Sequence, residues 1–221
     1  MKLQHLNPAL VLLWIAVAVF AVNTALVWDW ELDDALIYAR YIDNFTKGNG
    51  LVFNPGIKVN GLTSPLFAYL SILVVPFVDD AKNAIMLVSA LAVVGSMLVF
   101  YKLLGRFFIE ENAAAISALL ATTAAASYVN LGMETSLFVL LVGVCLYCYL
   151  KNAHILLGVA VGFLVLTRPE GLLLVPVLAI NTFLRGRPWP SWYCYLMPAA
   201  MIAFQLLFNG LYYGEILPTS G

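Results

Sequence analysis

The stretch Ser64–Val78, SPLFAYLSILVVPFV, belongs to a series of apolar runs along the chain. Whether it crosses a bilayer or lies along its surface decides which polar residues can meet. Cytoplasmic loops of membrane proteins carry the excess of Lys and Arg. If 64–78 crosses and the N-terminus is cytoplasmic, Lys102, Arg106, Lys151, Arg185 and Arg187 fall outside with Arg40, Lys47 and Lys58. Only Lys2, Lys82 and Arg168 then remain inside. If 64–78 lies on or dips into the outer surface, Lys2, Lys102, Arg106, Lys151, Arg185 and Arg187 are inside. Arg40, Lys47, Lys58, Lys82 and Arg168 are then outside, three of them in the long stretch 29–63 where the charge bias weighs less. Of the 12 acids, only Glu110 and Glu111 then lie within. The second arrangement is the one adopted.

Working outward, composition makes a membrane protein the starting point. Of the 221 residues, 63% are hydrophobic and 10% charged, where a soluble domain carries roughly 25% charge. The expected fold class is therefore an all-α polytopic membrane protein of about seven transmembrane helices, with a long first external loop, 29–82, that carries surface helices. The net charge of −1 excludes a strongly basic nucleic-acid binder. The first run, 8–28, is longer than a signal-peptide core and no small-x-small cleavage site follows it, so it reads as a retained first span. No repeat, low-complexity segment or soluble domain interrupts the single module 1–221.

The remaining runs are 83–104, 112–130, 135–150, 154–184 and 191–213. The fourth of these is broken by Thr167-Arg168-Pro169-Glu170-Gly171. A charge at a helix centre costs roughly 2.5–3.5 kcal/mol on insertion, so two short helices meeting below the outer surface, with Arg168 and Glu170 facing a wet cavity, are expected instead. Trp28, Trp30, Trp189 and Trp192 fall where interfacial aromatic belts occur. In the first loop, Asp33–Thr46 lacks Gly and Pro and reads as a helix with Asp33, Leu36, Ile37 and Arg40 on one side.

This arrangement collects Asp33, Asp34, Arg40, Asn54, Thr63, Ser64, Glu134, Arg168 and Glu170 on the outer side, with Glu215 near the end. Adjacent carboxylates just after a span can supply a general base, because repulsion and partial burial raise one pKa. An arginine near the surface can hold a lipid-linked phosphate and stabilise its departure. The matching chemistry is a deprotonated hydroxyl attacking a carbon that bears a phosphate leaving group.

The stretches Asp33-Asp34-Ala35-Leu36-Ile37-Tyr38-Ala39-Arg40-Tyr41, Gly48-Asn49-Gly50-Leu51-Val52-Phe53-Asn54-Pro55-Gly56 and Gly61-Leu62-Thr63-Ser64-Pro65-Leu66 resemble the first external loop of the GT-C glycosyltransferases. The branch they resemble is the bacterial one that includes the mycobacterial terminal arabinofuranosyltransferases. Gly132-Met133-Glu134-Thr135, Thr167-Arg168-Pro169-Glu170-Gly171 and Tyr213-Gly214-Glu215-Ile216-Leu217-Pro218 follow in the same order as in that branch.

The resemblance implies a polytopic enzyme of the cytoplasmic (inner) membrane, N-terminus cytoplasmic and active site extracytoplasmic. It would take a sugar from a polyprenyl-phosphate donor to a glycan or lipid acceptor hydroxyl, with inversion. The catalytic aspartate falls on the Asp33-Asp34 pair, with Asp33 preferred. Arg168, helped by Arg40, would bind the donor phosphate, and Glu134, Glu170, Asn54, Thr63 and Ser64 are further site candidates. No cofactor is required; a divalent metal is compatible with the chemistry, and no metal ligands are assigned. Asn60 and Leu62 stand where the family often has an acidic residue and an aromatic. Relatives continue with further spans, so the C-terminal part of the family is expected to be absent here, leaving room for a second chain to supply it.

Blander readings stand beside these. The aspartate pair can serve a helix start, Glu134 can open the helix at 135, and Arg168 can pair with Glu170 to hold a kinked hairpin. Arg40 can pair with Asp33 or Asp43. Cys145 and Cys148 sit mid-span with no second ligand pair and read as packing, as does Cys194. His5 and His154 fall on the inner side, away from the acids. Gly95, Ser96, Gly158 and Gly162 mark close helix packing. The rival function is a non-catalytic module that binds membrane lipid or depends on a partner chain. A transporter is disfavoured because no second half repeats the broken helix.

Overall fold

The computed structural model describes residues 7–29, 32–125 and 131–219, with side chains at 120–125 excepted. Lys2, His5 and Trp30 lie outside the described residues. Those described form α-helices and no strand; the nearest approach to sheet is one antiparallel bridge, Asn54 to Ile57. In chain order the helices are α1 (Pro8–Leu26), α2 (Asp33–Thr46), α3 (Pro65–Val74), α4 (Ala81–Leu104), α5 (Glu110–Ala125), α6 (Thr135–Leu150), α7 (His154–Thr167), α8 (Leu174–Leu184) and α9 (Tyr193–Tyr213). Three of them, α1, α4 and α9, are long and apolar enough to cross a membrane. The shorter apolar helices include α6, α7 and the continuous pair formed by α8 and the 3-10 turn Pro169–Leu173. Exposed large apolar side chains such as Phe183 on α8 and Phe204 and Leu211 on α9 form the surface expected of helices that meet lipid.

Helix ends follow local chemistry. Asn7 caps α1 by accepting from the Ala9 N–H at 2.9 Å, with Pro8 in the first turn where its missing N–H costs nothing. Asp80 caps α4 by accepting from Asn83 N at 2.7 Å. The predicted first-loop helix is found with the same bounds, Asp33–Thr46. Its two acids occupy the first turn, where they face the positive end of the helix dipole, while Leu32 holds the cap position without a side-chain bond.

The first loop starts and finishes at one end of the bundle. Trp28 Nε1, just past α1, donates to Asn83 Oδ1 in the first turn of α4 at 2.6 Å. Between these clasped residues, α3 is a 10-residue helix, about 15 Å long, that packs on α2, α4 and α7 without leading to the far end. The later helices alternate. Ser89 near the start of α4 bonds Met133 just before α6, and Arg106 beyond the end of α4 reaches Leu150 at the end of α6. α4 and α6 therefore run parallel. α7 packs on both α6 and α9, and the clasps Tyr149–Asn181 and Tyr149–Thr182 tie α6 to α8.

The break in the run 154–184 is also found. Arg168 is extended (φ −150°, ψ 130°) between α7 and the 3-10 turn. The small residues act as packing sites. A Cβ on Gly158 would lie 2.7 Å from the Cys194 carbonyl oxygen, and one on Gly162 would lie 3.2 Å from Pro198 Cα. Pro198 has no N–H to offer Cys194 four residues earlier, so this carbonyl lacks its helical partner and Gly158 fits against it. At Gly95 the neighbours are instead the flexible methyls of Leu140, 3.2 Å away. Cys145, Cys148 and Cys194 are free thiols buried in the same interior.

Gly158→Ala is therefore expected to destabilise the protein by about 1–3 kcal/mol, since backbone on α9 must move. Gly95→Ala should cost under about 1 kcal/mol, because a leucine rotamer can yield. Reversible unfolding of the purified variants in mixed detergent measures the difference.

Candidate functional site

Five separate stretches of sequence meet at the clasped end of the bundle. α2 turns Asp34, Tyr38 and Tyr41 inward at helical spacing, the loop after it contributes Phe53, Asn54 and Thr63, and the turn before α6 brings Glu134. The break after α7 brings Arg168, and Thr219 beyond α9 completes the rim. Together they line an open cavity of about 620 Å³. The volume is that of a typical small-molecule site, apolar walls with a few convergent polar groups.

The loop is held in shape by hydrogen bonds to aromatic and amide side chains. Tyr41 Oη donates to Val59 O at 2.8 Å and accepts from Gly61 N at 2.9 Å. Asn44 Nδ2 donates to Val52 O and Phe53 O at 2.9 and 2.8 Å. Leu51 is gripped from α9: its N–H donates to Tyr212 Oη at 2.9 Å and its carbonyl accepts from Tyr213 Oη at 2.8 Å. Gly50, in the left-handed region at φ 86°, sits so close to Tyr212 Oη that a Cβ would collide with it. Thr219 N and Oγ1 both donate to Asn60 O, at 2.9 and 3.0 Å.

At the cavity floor, Glu134 is almost fully buried and paired with Arg168. Arg168 Nε donates to Glu134 Oε1 at 2.9 Å, and its Nη2 lies 2.7 Å from the same oxygen. Glu134 Oε2 has no hydrogen-bond partner. The turn that aims this carboxylate is fixed by Ser89, whose Oγ donates to Met133 O and accepts from Gly132 N at 3.0 and 3.1 Å. Tyr38 Oη hydrogen-bonds Thr63 Oγ1 at 2.9 Å. Burial pushes the Tyr38 phenol well above its ordinary value near 10, the Glu134 charge adds to the rise, and the Thr63 hydrogen bond opposes it. Burial raises the Tyr41 phenol as well.

The sequence-derived candidates divide accordingly. Asp34, Asn54, Thr63, Glu134 and Arg168 line the cavity. Of the residues predicted to share one side of α2, Ile37 lines the cavity, while Asp33, Leu36 and Arg40 are exposed and are not among its lining residues. Arg40 donates to Phe53 O at 3.2 Å, braces the loop, and does not reach the cavity; Asp43 pairs with Lys47 instead, at 2.7 Å. Glu170 is exposed away from the cavity, and Arg168 pairs with Glu134 rather than with it. Ser64 is buried behind Thr63, with an Oγ that makes no hydrogen bond. Asn60 and Leu62 are buried in the loop and are not among the residues that line the cavity. Glu215 is exposed. Among the described residues no group of three His, Cys, Asp or Glu side chains converges as a metal site.

Sequence reading passed over Tyr38 and Ser89. Tyr38 was accessible to it, standing one helical turn after Asp34 and one before Tyr41. Ser89 lies inside an apolar span and nothing local distinguishes it.

The fold and site describe a helical membrane protein with a polar cavity at one end of its bundle. Over 237 aligned positions the chain is 28% identical to the terminal β-(1→2)-arabinofuranosyltransferase of Mycobacterium tuberculosis. The match covers 94% of this chain and 37% of that enzyme's length, and it supports a distant relationship to a glycosyltransferase. No family model matches the chain, and no solved structure matches it.

A phenol with a raised folded-state pKa keeps its stabilising proton below the unfolded value and loses that advantage as pH climbs past it. At pH 10 an exposed phenol is half ionised and Tyr38 is not. The difference in phenolate absorbance between wild type and Tyr38→Phe should therefore be close to zero at pH 10, and a spectrophotometric titration of the folded protein checks it.

Proposed function

We propose that this chain is a glycosyltransferase, or the part of one that holds the reacting groups, which moves a sugar from a polyprenyl-phosphate donor to an acceptor hydroxyl. The observation that carries the reading is the shared cavity: Asp34 and Thr63 from the first loop, Glu134 and Arg168 from two later turns. The relative's printed activity, the transfer of an arabinofuranosyl group, supplies the reaction class. Since the match spans 37% of that enzyme, its donor, acceptor and activity are proposed for this chain on the strength of the site.

Asp34 is the general base. Its carboxylate takes the proton from the acceptor hydroxyl as the oxygen attacks the anomeric carbon, and the carbon–oxygen bond to the donor phosphate breaks. The electron pair leaves on the polyprenyl phosphate, and a single displacement inverts the anomeric centre. Arg168 stabilises the departing phosphate through the N–H groups it does not direct at Glu134. Glu134 holds the guanidinium at the cavity wall. Thr63 and the neutral Tyr38 phenol offer hydroxyls to the sugar. The donor's isoprenoid tail lies in the surrounding bilayer, so the cavity opens at the membrane surface.

In this reading the seven helices α1, α4, α5, α6, α7, α8 and α9 span the inner membrane, with the N-terminus cytoplasmic and the cavity extracytoplasmic. The lysines and arginines at the opposite end of the bundle support that orientation. A divalent metal is optional, and no step is drawn through one.

Asp34→Asn should lower transfer from a polyprenyl-phosphate sugar by about 100-fold or more, the usual effect of losing a general base. Asp33→Asn should stay within about fivefold of wild type, and Arg168→Ala should lose about 100-fold. An assay of the purified protein against a panel of polyprenyl-phosphate sugars, with monodispersity checked for each variant, decides the matter. Transfer by Asp34→Asn at the wild-type rate would refute the assignment.

A further inference from the structure

A second and larger cavity, about 840 Å³, opens at the other end of the bundle between the ends of α4, α6 and α8. Glu134 stands at one end of α6 and Leu150 at the other, which separates the two cavities by the length of a 16-residue helix, about 24 Å. Its polar lining is Arg106, Arg185, Arg187, Tyr149 and Asn181, and it contains no acid. Leu103, Leu146, Val177 and Leu178 form its apolar walls.

The three guanidiniums are only lightly engaged. Arg106 makes one long bond to Leu150 O, 3.4 Å, and Arg187 makes one to Asn152 Oδ1, 3.5 Å, while it lies over the Tyr149 ring at 4.9 Å. Arg185 caps α8 by its backbone, and its guanidinium makes no hydrogen bond among the described residues. Glu110 and Glu111, the acids at this end, open α5 beside Tyr101, where Glu110 accepts from Asn7. Three arginines that line one largely apolar cleft, with no acid among its described lining residues, match an anionic phosphate in charge. Apolar walls leading from that point between the helices match acyl chains. Basic pockets between membrane helices take anionic lipid headgroups for these reasons.

We infer that this cavity is a binding site for an anionic glycerophospholipid, its headgroup phosphate between Arg106, Arg185 and Arg187 and its chains along the cleft between α6 and α8. The inference is independent of the reading proposed for the other cavity. The lipid bridges the ends of three helices, so its occupancy stabilises the bundle.

The test uses the full chain purified in neutral detergent, with dioleoylphosphatidylglycerol, dioleoylphosphatidylcholine and glycerol 3-phosphate as probes. Phosphatidylglycerol should raise the thermal midpoint saturably, and phosphatidylcholine at equal concentration should not. Each basic residue at an anionic lipid contributes about fivefold in affinity. Arg185→Gln, whose guanidinium holds no hydrogen bond among the described residues, should weaken phosphatidylglycerol binding about fivefold. The triple Arg106→Gln, Arg185→Gln, Arg187→Gln variant should weaken it about 100-fold, and Lys47→Gln at the opposite end should leave it unchanged. If the triple variant does not fold, Arg185→Gln alone decides. Equal stabilisation by phosphatidylcholine, or undiminished affinity in Arg185→Gln, overturns the proposal. Full displacement of the lipid by an equal concentration of glycerol 3-phosphate does so too, because the site would then take a free phosphate.

Discussion

A carboxylate sunk into a bundle of apolar helices must have a cation within reach, and at Glu134 that cation is Arg168. An unpaired buried charge would cost several kcal/mol, and removing one partner from such a pair is far more damaging than the pair's net contribution suggests. The constraint shapes the backbone around it. Arg168 can turn toward Glu134 because α7 stops there in an extended residue, and Pro169 prevents the helix from continuing. Glu134 can point at Arg168 because Gly132, at φ 87°, turns the chain tightly enough for Ser89 to hold both the Gly132 N–H and the Met133 carbonyl. Arg168 remains partly exposed, so the pair sits at the edge of a wet space instead of in a sealed core.

That wet space exists because the first loop returns to the end from which it left. Trp28 and Asn83 close its base, α3 packs beneath it, and Tyr212 and Tyr213 at the end of α9 hold its tip through both backbone groups of Leu51. Distant parts of the chain are thereby made to depend on each other. The loop supplies Asp34 and Thr63, and the helix that anchors it is packed on α7, whose end supplies Arg168. Gly50, Tyr212 and Tyr213 serve this scaffolding and are not among the residues that line the cavity. The polar ladder from Tyr69 through Gln205 and Asn209 to Ile216 O does the same work on the other flank.

The two ends of the bundle differ in chemical character. One gathers aspartate, glutamate and hydroxyl groups around a single arginine. The other gathers Arg106, Arg185 and Arg187 without an acid among them. Helices that run end to end are what keep these groups apart, and the same separation lets one surface suit reaction chemistry while the other suits contact with anionic headgroups.

Much of this was legible in the residues alone. Apolar length, the Asn and Asp caps and the charged interruption at 167–171 are local properties, and they place the helices nearly where they are found; α2 has its predicted bounds. The charge distribution predicts that 64–78 returns to the side it came from, and the structure joins the two ends of the first loop through Trp28 and Asn83. What local pattern could not settle was direction. Asp33 and Asp34 are adjacent and chemically equivalent in sequence. Only the burial of Tyr38 and Tyr41, one and two turns along from Asp34, rotates α2 so that Asp34 lines the cavity and Asp33 and Arg40 do not. Partner choice was equally hidden: Glu170 is two residues from Arg168, yet the arginine reaches Glu134, 34 residues away in the chain. The sequence determines which segments are helical because that depends on neighbours along the chain. Tertiary structure alone decides which carboxylate meets which arginine, because that depends on how whole helices rotate to bury their tyrosines.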